Sequence, residues 1–407
     1  MSILTLNCGS SSVKYSLFDT RGHDFTCRGL VERVGMGKSF LRQQYAGRET
    51  RIDRDCRDHA AAVGLVLDIL TTGEDSPIRA VGHRVVHGGE EFAASALVTP
   101  EMLSTVERVA ELAPLHNPPN LAGIRAAGAL LPGIPQVAVF DTAFHQRMPP
   151  EAYIYPLPYE WYEKYGIRRY GFHGTSHLYV AARAAVMLGR PLEELKLVTL
   201  HIGNGASAAA VLDGRSVDTS MGFTPLEGLV MGTRCGWIDP AIVTYVMQRE
   251  DLDADEMDRL LNKRSGLLGL SGRFTDRRDI LEGADRGDER CELALQIECR
   301  AITKIIGSYA AVMGGLDGVV FTAGVGENAA AIRARALEGL RFLGIRLDPA
   351  RNERALGGAR EEFISSDASP VAALVIPTNE ELVIAEDTQA ILEGRLEDPD
   401  FSYSFAR

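Results

Sequence analysis

The six cysteines, at positions 8, 27, 56, 235, 291 and 299, form no CxxC pair and no zinc-ligand spacing. That excludes the common structural zinc sites, and it predicts small buried thiols in place of a disulfide framework. No apolar run approaches the ~20 residues of a membrane-spanning helix, and the first residues carry neither a basic stretch nor a long apolar one. Basic charge is in deficit as well. With 43 Lys and Arg against 55 Asp and Glu, the net charge of -12 argues against nucleic acid or an anionic membrane as partner. A cytoplasmic protein is expected. What remains is ordinary globular composition, 45% hydrophobic and 24% charged, in 407 residues, a length at which two domains are the default.

The opening stretch LTLNCGSSSVKYSLFD places a small, hydroxyl-rich turn between two apolar runs. A Walker loop would need GxxxxGK[ST] running into a helix. Here Val13, Tyr15 and Leu17 alternate with Lys14, Ser16 and Phe18, so the turn joins two antiparallel strands. Gly9, Ser10 and Ser12 then make either a simple hairpin turn or a close-approach cradle for an anion. A second copy favours the cradle. In VTLHIGNGASAAAVLDGR, Thr199, Leu200, Gly203, Asp213 and Arg215 repeat Thr5, Leu6, Gly9, Asp19 and Arg21, each 194 residues on. The offset, near half the chain, predicts a duplicated domain whose two turns converge on one polyanion.

Other segments carry the remaining polar groups. DGVVFTAGVGEN reads as a strand, a glycine turn, and a helix with Asn328 near its start. VAVFDTAF places Asp141 after a strand, where the second half carries Ala323. In GHRVVHGG, His83 and His87 would share a helix face as a metal pair, but Val85, Val86 and the two glycines read as strand. An arginine in such a strand, Arg84, needs an anionic partner. LHNPPN reads as a proline-stiffened loop bearing His116, and RRYGFHGTSH sets His173 and His177 around a glycine turn. Arg234 is the one basic residue of the apolar segment 221–240. In VIPTNEEL, Thr378 is a candidate helix cap completed by Glu381, leaving Glu380 free for a cation. Residues 291–315 predict a long helix with a wide apolar face, suited to a subunit contact, and 273–290 a solvated polar stretch.

Together, NCGSSSVKYSLFD, GHRVVHGG, HNPPN, FDTAFH, YGFHGTSH, HIGNGAS, GVGEN and TNEEL resemble the acetate kinase family in order and spacing over nearly the whole chain. That family belongs to the acetate and sugar kinase, heat-shock ATPase and actin superfamily. The resemblance implies an α/β fold of two duplicated ribonuclease-H-like domains, each a mixed central sheet flanked by helices, with the nucleotide in an interdomain cleft. It implies an acyl- and phosphate-side domain of residues 1–148 completed by 384–407. A nucleotide-binding and dimerisation domain would span 149–383.

The reaction implied is reversible transfer of the ATP γ-phosphoryl group to acetate, giving acetyl phosphate and ADP. Mg²⁺ is the implied metal, with Mn²⁺ as the alternative, and a homodimer the implied assembly. By resemblance, Asn7 and Glu380 are metal-associated, and Arg84 binds the acyl carboxylate. Asp141, His173 and Arg234 are catalytic alongside Arg84. Val86, Leu115, His116, Phe172 and Pro225 surround the acyl group. Lys14, His201, Ile202, Gly203, Asn204 and Gly205 are nucleotide contacts. So are Asp276, Arg277 and Arg278, with Gly324, Val325, Gly326, Glu327 and Asn328. Segment 273–278, GRFTDRR from residue 272, departs from the family's small, serine-rich pattern, so Arg273 and Arg277 bear on the adenine or ribose pocket. An aliphatic carboxylate is ionised well below neutral pH and needs no general base. Asp141 is therefore expected to orient an arginine, water or Mg²⁺ and not to remove a proton. The alternatives are a propionate or butyrate kinase and an acceptor-independent ATPase.

Overall fold

The opening run Ser2–Cys8 is strand β1, buried at every position except Asn7. Burial on both faces is the mark of a strand deep within a sheet. The structure, a computed structural model, describes residues 1–71, 78–113, 116–356, 360–396, 398 and 401–407. The chain folds as two compact units. One comprises Met1–Gln146 with Asn379–Phe405 and Arg407; the other comprises Arg147–Thr378 with Ala406.

The first unit continues with β2 (Ser12–Asp19), β3 (Asp24–Glu32), β4 (Phe40–Tyr45), β5 (Arg48–Asp53), β6 (Ile78–Val85), β7 (Ala96–Leu97) and β8 (Gln136–Phe140). They form one sheet in the order β5-β4-β3-β2-β1-β6-β8-β7. The second unit contains β9 (Lys196–Ile202), β10 (Ala206–Leu212), β11 (Arg215–Thr219), β12 (Gly318–Thr322), β13 (Glu362–Phe363) and β14 (Ala372–Val375), ordered β11-β10-β9-β12-β14-β13. In β3-β2-β1-β6-β8 and in β11-β10-β9-β12-β14, two antiparallel pairings are followed by two parallel ones. Both units are thus ribonuclease-H-like mixed sheets flanked by helices. The duplication read from the hairpins is real, since β1 and β9 start and end 194 residues apart.

Topology corrects several readings. Cys8 faces Val13, whereas Ile202 faces Ala206, so the second turn is one residue shorter. Asp19 accordingly corresponds to Leu212, each opposite the first residue of its partner strand, and not to Asp213. Asp141 follows β8, whose counterpart is β14; Ala323 follows β12, the counterpart of β6. The two positions are not equivalent. HNPPN is no loop but the first turn of the helix Asn117–Leu130, where prolines cost nothing because first-turn N–H groups have no partner to lose. Asn328 ends the short helix Ala323–Asn328 instead of starting one. The helix Glu380–Leu392 is capped by Asn379, whose side chain accepts from the Leu382 N–H, and not by Thr378. Within 273–290, Arg277–Asp285 is helical and Arg277 is buried. The long helix is Glu289–Val312, followed by Gly314 in the left-handed region.

Helices reach the first sheet by close approach at glycine. A methyl on Gly82 of β6 would lie 2.4 Å from Thr388 Oγ1, and one on Gly123 would lie 2.4 Å from Cys8 Sγ. These two contacts seat the helices Glu380–Leu392 and Asn117–Leu130 against β6 and β1. All six cysteines are free thiols, and burial pushes the Cys8 thiol up to about 12. Among the described residues, no helix is long and apolar enough to cross a membrane.

Candidate active site

In the first unit the polar residues gather where β1, β6 and β8 end. Arg84 on β6 sends Nε to Asp141 Oδ1 at 2.9 Å and Nη2 to Asp141 Oδ2, a two-pronged ion pair. Its Nη1 donates to Asn7 Oδ1 at 3.3 Å, and Glu380 Oε2 lies 3.9 Å from Nε. Asp141 is fully buried, its backbone N–H tied to the Val85 carbonyl at 3.0 Å. Burial alone would weaken the charge on Arg84, but Asp141, Glu380 and Glu381 outweigh it and hold its pKa above the ordinary value.

Neighbouring strand ends are clamped by two asparagines for which the sequence reading had no role. Asn120 accepts from the Val86 N–H at 3.0 Å and donates to the Cys8 carbonyl at 2.8 Å. Asn117 accepts from the His87 N–H at 3.1 Å and donates to the His87 carbonyl at 3.0 Å. The signal was present in HNPPN: amides just after a strand pattern can satisfy the backbone groups at that strand's end. Val86 is buried and His116 sits at the N-cap position of the same helix. Leu115 lies outside the described residues. His83 and His87 form no metal pair, since His83 Nε2 donates to Gln136 Oε1 while His87 Nδ1 accepts from the Gly89 N–H.

On the hairpin of this unit, the Gly9 N–H donates to the Ser12 carbonyl at 2.9 Å, while Ser10 is exposed and Ser12 half-buried. Lys14 is in ion-pair contact with Glu381. Burial would raise the Glu381 pKa, yet Lys14 brings it below the ordinary carboxylate value.

In the second unit, His201 is the penultimate residue of β9 and the turn closes with the Gly203 N–H on the Gly205 carbonyl at 2.9 Å. Asn204 is anchored through its carbonyl by the Gly232 N–H at 3.1 Å. A methyl placed on Gly205 would sit 3.5 Å from Arg234 Nη1 and 3.7 Å from His173 Nε2, so both side chains look onto this turn. His173 precedes the helix Gly174–Leu188 with φ +58°, a left-handed backbone that non-glycine residues adopt at a cost. Its ring stacks on that of His201, centroids 4.1 Å apart. Arg234 donates to the Pro225 carbonyl at 3.3 Å. Among the described residues no carboxylate lies within 4.0 Å of it, and burial lowers its pKa. Phe172 is buried and Pro225 half-buried.

Of the expected nucleotide contacts, Arg277 does not reach the surface. It is buried with Glu298, Nη2 to Oε1 at 3.0 Å, whereas Asp276 and Arg278 pair with each other on the exposed side. The exposed Arg278 holds Asp276 down at about 2. Gly324, Val325, Gly326, Glu327 and Asn328 share the short helix after β12. Arg333, fully buried, donates to the Gly326 carbonyl at 2.9 Å and the Glu327 carbonyl at 3.0 Å.

Residues 2–386 match the family model described as the acetokinase family. The chain belongs to the acetokinase family. It is 57% identical over 415 residues to the acetate kinase of Geobacter metallireducens, covering all of this chain and 99% of that protein. Its fold is similar to the crystal structure of Porphyromonas gingivalis acetate kinase at TM-score 0.91 and 47% identity, covering 96% of this chain and 99% of that one. A propionate kinase structure from Francisella tularensis matches at TM-score 0.90 and 42% identity, covering 95% and 99%.

Proposed function

We propose that this acetokinase-family chain is an ATP:acetate phosphotransferase, reversibly moving the ATP γ-phosphoryl group onto the acetate carboxylate to give acetyl phosphate and ADP. The observation that carries this reading is Arg234. A half-buried guanidinium with no carboxylate in reach among the described residues, sharing the face of Gly205 with an imidazole, is a preorganised site for a transferring phosphoryl group. Phosphoryl transfer asks a protein chiefly for position and charge. In this reading Arg234 Nη1 and His173 Nε2 donate to the equatorial oxygens, and the turn of residues 201–205 holds the nucleotide phosphates. Segment 324–328 and the exposed Asp276 and Arg278 meet the nucleoside. Arg84 binds the acyl carboxylate, and Asp141 orients Arg84.

Asn7 and Glu380 bring one neutral and one anionic oxygen donor. That set suits Mg²⁺, or Mn²⁺ in its place, which keeps waters and takes phosphate oxygens as its other ligands. Bound there, the ion would neutralise charge on the β- and γ-phosphates. The reading includes a cytoplasmic homodimer, supported by exposed Leu293 and Val312 on the long helix Glu289–Val312.

The Francisella match supports a second substrate, propionate. A methylene is worth only ~1–3 kcal/mol in an apolar pocket, so the two acids compete closely. Acyl phosphate trapped as the hydroxamate, with Mg²⁺, ATP and acetate, propionate or butyrate in turn, decides the matter. Highest kcat/KM with acetate is expected. A longer acid in first place changes the substrate and keeps the mechanism, and ATP turnover that ignores every acid rejects the reading.

A further inference from the structure

Behind His173 runs a chain of buried hydrogen bonds that the proposed roles leave unused. His173 Nδ1 lies 2.9 Å from Ser207 Oγ, Ser207 Oγ lies 2.8 Å from His177 Nε2, and His177 Nδ1 lies 2.7 Å from Thr199 Oγ1. Thr199 on β9, Ser207 on β10 and His177 on the helix Gly174–Leu188 are all fully buried. An imidazole–hydroxyl chain of this kind can run in either direction, and the direction decides which nitrogen of His173 carries its proton.

The closed end of the chain sets the direction. Thr199 lies in the sheet between β10 and β12, with Ala209 and Val320 as its ladder neighbours. Among the described residues, His177 Nδ1 is the one hydrogen-bonding partner of its hydroxyl. The Thr199 proton must therefore go to His177 Nδ1, since in the reverse direction it would be orphaned in the interior. His177 then carries its own proton on Nε2 and donates to Ser207 Oγ. Ser207, with two imidazole partners, has His173 Nδ1 left as acceptor for its hydroxyl. His173 is left as the Nε2–H tautomer, with the N–H on the side of Gly205 and Arg234.

We propose that Thr199, His177 and Ser207 are positioning residues that fix His173 as an Nε2–H donor toward the phosphoryl group. The inference deepens the role given to His173 above and rests on it. In the opposite tautomer, a lone pair would face the phosphoryl oxygens and repel them.

The test uses full-length enzyme labelled with ¹⁵N-histidine, with long-range ¹H–¹⁵N correlations read in the presence and absence of Mg²⁺-ATP. His173→Gln serves to assign the His173 signals. Wild-type His173 and His177 are expected protonated on Nε2. Thr199→Val keeps the shape and removes the directing proton. It is expected to give His173 a mixture of tautomers and to lower kcat about tenfold, with KM for ATP and acetate within about twofold. Ser207→Ala should do the same more severely. Wild-type His173 protonated on Nδ1 or on both nitrogens overturns the proposal, as does a Thr199→Val enzyme with unchanged tautomers and kcat. If Thr199→Val does not fold, the wild-type spectrum alone decides the direction. An Nε2–H tautomer in an enzyme whose kcat survives His173→Gln overturns the role of His173, and the hydrogen-bond chain stands.

Discussion

Arg84 engages three of its N–H groups inside the protein, two on Asp141 and one on Asn7. A guanidinium has five, so among the described residues two have no protein partner and, in the proposed role, meet the acyl carboxylate. Asp141 has both oxygens on Arg84, and the role proposed for it is to fix the fork's orientation. Asp141→Asn is expected to lower kcat about 10²-fold through misplacement of Arg84, with the pH–rate profile unchanged in shape. An ionisation present in the wild type and missing from the variant would instead assign Asp141 a proton. Arg277 and Arg278, adjacent in sequence, should part company just as sharply. Removing Arg277 leaves Glu298 without its cation. Burial already pushes the Glu298 pKa up against the pull of Arg277, so it can neutralise and soften the loss. Arg277→Leu is expected to cost about 3 kcal/mol of stability, the lower end for a broken buried pair, and to leave the KM for ATP of the folded fraction unchanged. Arg278→Ala is expected to leave the melting temperature alone and raise that KM a few-fold. A reversed pattern in denaturation and steady-state kinetics would place Arg277 in the site after all.

At the scale of elements, Arg333 on the helix Ala330–Glu338 holds the preceding short helix by its last carbonyls, and also bonds the carbonyls of Asn352 and Ala355 at 2.7 and 2.9 Å. Burial lowers its pKa to about 10, so the charge is kept at a cost that these carbonyl contacts offset. Arg333→Met should orphan four carbonyls, lower the melting temperature by several degrees and raise the KM for ATP about tenfold. An unchanged KM would mean that segment 324–328 keeps its shape unaided. None of this was legible in the chain, because Arg333 lies in an ordinary helical pattern and its partners are four backbone carbonyls and the side-chain oxygen of Asn352, 19 residues on. The two hairpins and their duplication were legible, since period-two alternation and a repeated small-residue turn are local signals, but the one-residue difference in turn length was not. The equivalence of Asp141 and Ala323 was misread for the opposite reason. Strand order within a sheet is a long-range property, and β8 and β12 look alike as short apolar runs before a polar residue. Arg277 failed similarly: periodicity in a short helix with three arginines nearby does not say which one turns inward.

The whole molecule is built from one sheet topology used twice, and the first unit is completed by the end of the chain. The helix Glu380–Leu392 brings Glu380 and Glu381 to it, and residues past 400 fasten that helix from outside. Tyr403 donates to Asp387 Oδ1 at 2.8 Å, Ser95 to Asp387 Oδ2 at 2.5 Å, and the Ser404 N–H to Glu386 Oε2 at 2.8 Å. Burial raises the Asp387 pKa to about 6, helped by Glu386 and opposed by the hydrogen bonds from Ser95 and Tyr403. A carboxyl raised in the folded state binds its proton more tightly there than in the unfolded chain. Its contribution is full below the unfolded value near 4 and is lost as pH rises through about 6. The whole span is worth roughly 3 kcal/mol, of which about 1 kcal/mol falls between pH 5 and 7.5. Asp387→Asn cannot titrate. Relative to the wild type it should therefore gain about 1 kcal/mol between those two pH values, read from urea unfolding. The same stability difference at both would show that Asp387 is ionised throughout, with the tail held by a carboxylate and not by an acid.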